Sequence, residues 1–156
     1  MTTFFRSQLA YFLAYVATGW LALQIAVPAG IAVPLFPPAG IALTALLIHG
    51  WRALPSIFIA AAAVGILAAQ QSGIGPAAPL IVPLIAFGST TQAMLACWLY
   101  VRLIGRDNPL DSHESIIRFI GIVAPVACLL SATIATTALY LNGSLTQSTV
   151  LFSWLN

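Results

Sequence analysis

The sequence predicts an all-α protein, a polytopic transmembrane helix bundle of about five helices plus the start of a sixth, with its N-terminus cytoplasmic. Composition gives the first reason. The 156 residues are 61% hydrophobic and 5% charged, against roughly 25% charged in soluble domains, so lipid is the solvent that this surface suits and the bilayer is its first partner. The second reason is that apolar stretches approaching the ~20 residues of a membrane-spanning helix recur along the chain, separated by proline, glycine and polar breaks. The third lies in the basic residues. If successive stretches alternate in direction, Arg6, Arg52, Arg102, Arg106 and Arg118 all fall on one side, which the positive-inside rule makes cytoplasmic. The three acids, Asp107, Asp111 and Glu114, lie on that side too.

Taken in order, the whole chain, residues 1–156, forms one integral-membrane domain. A first span covers about 7–27, with Gln24 as a polar break. Its apolar run is too long for a signal-peptide core of about 7 to 15 residues. The segment from Pro28 to Pro38 is apolar but holds four prolines, so it cannot continue as helix. It is expected as an irregular outer loop, packed on protein or lining a wet cavity. Pro37 or Pro38 suits a helix start, and a short second span covers 39–49 before Gly50-Trp51-Arg52. Pro55 opens a third span, 55–69, in the first-turn position that proline tolerates. In it Ala61, Gly65 and Ala69 recur every four residues, the small-residue spacing that lets membrane helices approach closely.

The glycines and proline of 70–76 mark a turn, a fourth span runs 79–103, and Asp107-Asn108-Pro109 lies in the hydrophilic loop after it. Asp111 or Ser112 is placed to cap a fifth span, 115–141, with Glu114 in the positive first turn and Pro125 expected to kink it. A partial sixth helix occupies 149–156 and the chain stops within it, the pattern expected of a fragment.

Little in the sequence carries chemistry. The net charge of +2 is too small and dispersed for nucleic acid. No nucleotide, hydrolase or metalloprotease motif is present, no catalytic residue is assigned, and neither a cofactor nor a metal is called for. Cys97 and Cys128 stand about 9 and 20 Å above the inner helix ends at ~1.5 Å per residue, which argues against a disulfide. His49 sits at an interface beside Trp51 and Arg52, and no acid lies inside a span, which disfavours proton-coupled transport.

Two polar stretches overlap in depth: Gly88-Ser89-Thr90-Thr91-Gln92 in the fourth span and Ser131 to Thr137 in the fifth, with Gln92 nearly level with residues 125–127. They bond between helices or line a small polar pocket beneath the proline-rich loop.

Phe36-Pro37-Pro38-Ala39-Gly40-Ile41-Ala42, followed by Gly50-Trp51-Arg52-Ala53-Leu54-Pro55-Ser56-Ile57-Phe58, resembles the first family of bacterial membrane-associated sensor domains. The likeness continues through Gly88 to Trp98, Arg102, Asn108-Pro109-Leu110, Arg118-Phe119 and Ser131-Ala132-Thr133, nearly the whole chain. Phe36 stands where the family usually has tryptophan, and Val64 and Gly65 stand where it frequently has asparagine.

The resemblance implies a sensory input domain in the bacterial inner membrane, about eight helices in all. It also implies a histidine kinase or cyclic-di-GMP module in the same polypeptide, and homodimerisation is expected through that full-length receptor. The signal is an unidentified small molecule. Candidate ligand-binding residues are Phe36, Pro37, Pro38, Ala39, Gly40, Thr90, Thr91 and Gln92, and Arg52 is a candidate anchor at the inner interface. A competing expectation is a small transporter or transporter subunit that uses the Ser/Thr/Gln residues as its path.

Overall fold

A computed structural model describes residues 2–25, 36–71, 78–105 and 112–141. Every regular element among them is helical: α1 (Thr2–Gln24), α2 (Pro38–His49), a 3₁₀ turn (Gly50–Ala53), α3 (Leu54–Gln71), α4 (Ala78–Leu103), α5 (His113–Arg118), a π turn (Phe119–Val123) and α6 (Ala124–Leu141). The count departs from five helices and part of a sixth. The described residues form four helical stretches, of which three, Pro38–Gln71, Pro79–Leu103 and His113–Leu141, are long and apolar enough to cross a membrane.

Each difference has a physical reason. The spans expected at 39–49 and 55–69 are joined without a loop, because the 3₁₀ turn hands α2 directly to α3. The first stretch has the length to span, but Arg6, Gln8, Thr18 and Gln24 dilute its apolar character, and it is not among the three. The expected partial helix at 149–156, the body of the proline-rich loop (26–35) and Arg106 lie outside the described residues.

The stretch Pro38–Gln71 has 34 residues; straight, it would reach about 51 Å, far beyond a hydrocarbon core of ~30 Å. Gly50 prevents that. Its φ of +61° is the left-handed conformation that glycine adopts without steric cost, and it turns the chain back on itself. Contacts with α1 register the reversal. Passing from Tyr11 to Tyr15 goes backwards along α2, from the ring of His49 at 5.5 Å to that of Phe36 at 6.3 Å. Passing from Gln8 to Gly19 goes forwards along α3, from Ser56 to Val64. The two arms are thus about 18 and 27 Å long and run in opposite senses along the same helix.

Small residues let these helices meet. Ala42, Ala45, Ala53, Ala60, Ala61, Ala86 and Ala93 are buried around Tyr15. At Gly19 an added Cβ would lie 2.6 Å from a Val64 methyl, so the backbone of α1 rests directly on the Val64 side chain of α3. Ala61, Gly65 and Ala69 are all buried, and a Cβ on Gly65 would lie 3.3 Å from Val82, so the small-residue pattern does form the α3–α4 contact.

α6 packs on the opposite flank of α4, where Gly88 receives Ile134 and Gln92 donates to Cys128 Sγ at 3.4 Å. Cys97 and Cys128 are not joined by a disulfide. Just before Pro125, where a kink is expected, the helix widens into the π turn. The amide of Ala124 bonds back five residues to Phe119, and this wide turn makes room for a residue that has no N–H of its own.

Candidate functional site

The segment Phe36 to Gly40 builds the start of α2. Pro37 caps it and Pro38 occupies the first helical position, where a missing N–H costs nothing because that donor has no intrahelical partner. The carbonyls of Phe36 and Pro37 accept from Ala39 and Gly40 at 3.1 and 3.0 Å and close the first turn. Pro38 is fully buried, Phe36 and Ala39 are half-buried, and Pro37 and Gly40 are exposed. A side chain at Gly40 would meet nothing within 4 Å. This corner therefore has a buried foot, Phe36 and Pro38, beneath an accessible edge.

Phe36 rests edge-to-face on Tyr15 of α1, and Tyr15, only 2% exposed, shares a hydrogen bond with Ser89 of α4. One buried phenol thus joins the start of α2 to the polar stretch of α4. Sequence reasoning finds Ser89 within that stretch but passes over Tyr15. A tyrosine in an apolar run counts as apolar by composition, although its hydroxyl must find a partner when buried. The signal that could have found it is that hydroxyl, eight residues after Ser7 in the middle of a predicted span.

The other polar candidates point elsewhere. Thr90 is buried and Thr91 half-buried, and their hydroxyls donate to Ala86 and Phe87 one turn back, each at 2.7 Å. Thr133 and Thr137 do the same on α6. Hydroxyls spent on their own helix this way satisfy themselves in an apolar medium. Gln92 faces α6 through Cys128, at the depth expected to within a residue. Around Tyr15 the crevice bounded by Tyr11, Ile41, Ala45 and Ile57 leaves no space for a water molecule. Phe36 and Ser89 are brought together through Tyr15, while Thr91 and Gln92 are not drawn into one open pocket with them.

The four described arginines gather at one end of the bundle. Arg118 donates to the Leu103 carbonyl at 2.8 Å and pairs with Glu114, tying the start of α5 to the end of α4. Ser112 caps α5, accepting from Ser115 N–H at 3.1 Å. Arg52, exposed in the 3₁₀ turn, neighbours Trp51, which lines the same pocket as Val101, the residue before Arg102. Arg6 lies two residues from Gln8, whose amide oxygen accepts from Ser56 of α3. Among the described residues no group of three or more His, Cys, Asp or Glu is arranged to hold a metal.

No curated protein and no solved structure matches this chain. A family model does, over residues 6–156, and the chain accordingly belongs to MASE1, a membrane-associated sensor domain of bacterial signalling proteins that is sensory rather than catalytic.

Proposed function

We propose that this chain is the sensory input domain of a bacterial receptor, multi-pass in the inner membrane with its arginine end and N-terminus cytoplasmic. It passes a signal to a histidine kinase or cyclic-di-GMP module of the same polypeptide, which works as a homodimer. Family membership supports the sensory role, and the shared end of Arg6, Arg52, Arg102 and Arg118 supports the orientation.

The observation that carries the mechanism is the buried Tyr15, touching Phe36 on one side and Ser89 on the other. A small molecule that binds the corner at Pro37, Ala39 and Gly40 in one packing arrangement better than in another shifts the population toward it. Phe36 and Tyr15 carry that difference to Ser89, and α4 carries it as a rigid rod to the arginine end.

In the full-length receptor, Tyr15→Phe keeps the ring and deletes the hydroxyl. We expect its basal autophosphorylation or cyclic-di-GMP output to change by about fivefold, as loss of one hydrogen bond of ~1 kcal/mol from one of two states implies. Pro38→Ala, at the buried foot of the corner, is expected to change the response as well. Wild-type output from both variants at wild-type protein levels removes this path from the account.

A further inference from the structure

We propose that the arginine end holds one anionic phospholipid, an acyl chain seated in an apolar pocket and the phosphate gripped by Arg52 and Arg102. This stands independently of the sensory reading. The pocket has a volume of about 260 Å³ and lies between the α2–α3 reversal and α4. Leu46, Met94 and Cys97 form its floor, and Trp51 and Trp98 its sides. Met94, Trp98 and Val101 recur at helical spacing along one face of α4. Gly50 builds the remaining wall, and its left-handed backbone turns Trp51 out of the line of α2.

Three properties select the ligand. The lining is almost wholly apolar, so the part that enters needs no hydrogen bonds. The volume falls below the roughly 300–1,000 Å³ of pockets for drug-sized ligands, which suits a single extended chain. Basic residues flank the lining along the chain: Arg102 lies one turn beyond Trp98, and Arg52 adjoins Trp51. Both arginines are exposed; Arg118 is exposed too, but it is engaged by Glu114 and Leu103. The two tryptophans, 69% and 62% exposed, are of the kind that settles at the headgroup boundary. A chain between them places its phosphate level with the guanidinium groups, and arginine holds phosphate by paired N–H donors.

The test uses the full chain in phosphatidylcholine vesicles with Trp20→Phe and Trp154→Phe in place, so that emission reports Trp51 and Trp98. Phosphatidylglycerol or phosphatidylcholine with brominated acyl chains, which quench on contact, is added at equal small mole fraction. Quenching should favour phosphatidylglycerol, with a preference of about fivefold for each arginine engaged, the equivalent of about 1 kcal/mol. Arg52→Gln with Arg102→Gln should abolish the preference and leave quenching by phosphatidylcholine unchanged, while Cys97→Phe, which fills the floor, should reduce it with both arginines present. Equal quenching by the two lipids, or a preference that survives either the arginine variant or the filled pocket, overturns the proposal. So does reversal by inorganic phosphate, which would assign the arginines to a soluble anion.

Discussion

The two flanks of α4 are built differently. On one side α1, α2 and α3 close around Tyr15; on the other, α5 and α6 lean on α4 along a single seam. In the most apolar windows of Pro38–Gln71 and Pro79–Leu103, 39% of residues are buried, against 17% in His113–Leu141, which is the most apolar of the three. Apolar character and burial are thus uncoupled. In water the most hydrophobic helix would take the centre. In lipid a leucine gains nothing from leaving hydrocarbon, so small residues and polar contacts decide which helices pack. The buried side has its alanines and Gly19, whereas α6 and the turn before it present Ile120, Ile122, Val126 and Leu129 outward.

That contrast predicts a graded set of mutational effects, measurable as loss of helicity on titrating sodium dodecyl sulfate into mixed micelles. The largest should come from Tyr15→Ala, which empties the closed flank and strands Ser89; we expect about 3–5 kcal/mol, the cost of deleting a buried aromatic ring. An effect below that of exposed-site controls would mean that the α1 flank is not the packed one. Next is Gly19→Ala, about 1–3 kcal/mol from forcing a methyl group against Val64. Val64→Ala should recover much of it, and additivity of the two changes would refute the contact. On the open flank Arg118→Gln breaks the link to Leu103 and Glu114. Because both side chains are exposed, it should cost no more than about 1 kcal/mol, and amide exchange at the start of α5 should quicken. The smallest belongs to Ile117→Ala: this side chain is 70% exposed, and the change should stay within about 0.5 kcal/mol. A larger loss would show that something other than lipid covers α5.

Much of this architecture is legible from local chemistry. Pro38 and Pro55 open helices where proline can, Ser112 caps where a hydroxyl should, and the Ala61–Gly65–Ala69 repeat finds its neighbouring helix. What escaped depends on contacts distant in sequence. Nothing local to Gly50 says that two short helical arms will be fused through a 3₁₀ turn rather than parted by a loop. Composition likewise cannot tell that Tyr15 will meet Ser89, seventy-four residues away, and hydroxyl spacing alone does not tell a lined pocket from threonines such as Thr90 and Thr91 that bond to their own helix.

The π turn before Pro125 has a consequence for how this chain can change length. A π turn is an α-helix carrying one additional residue, and each residue ordinarily advances a helix by about 100°. Deleting one residue between Phe119 and Val123 would restore ordinary winding while leaving Arg118 aimed at Leu103 below and Ile134 aimed at Gly88 above. Within α6 itself a one-residue deletion turns every later side chain by that angle and breaks the seam with α4. The π turn is therefore the place in this helix where a codon can be lost without misaligning the residues beyond it, and with Pro125→Ala alongside, no carbonyl need go unpaired.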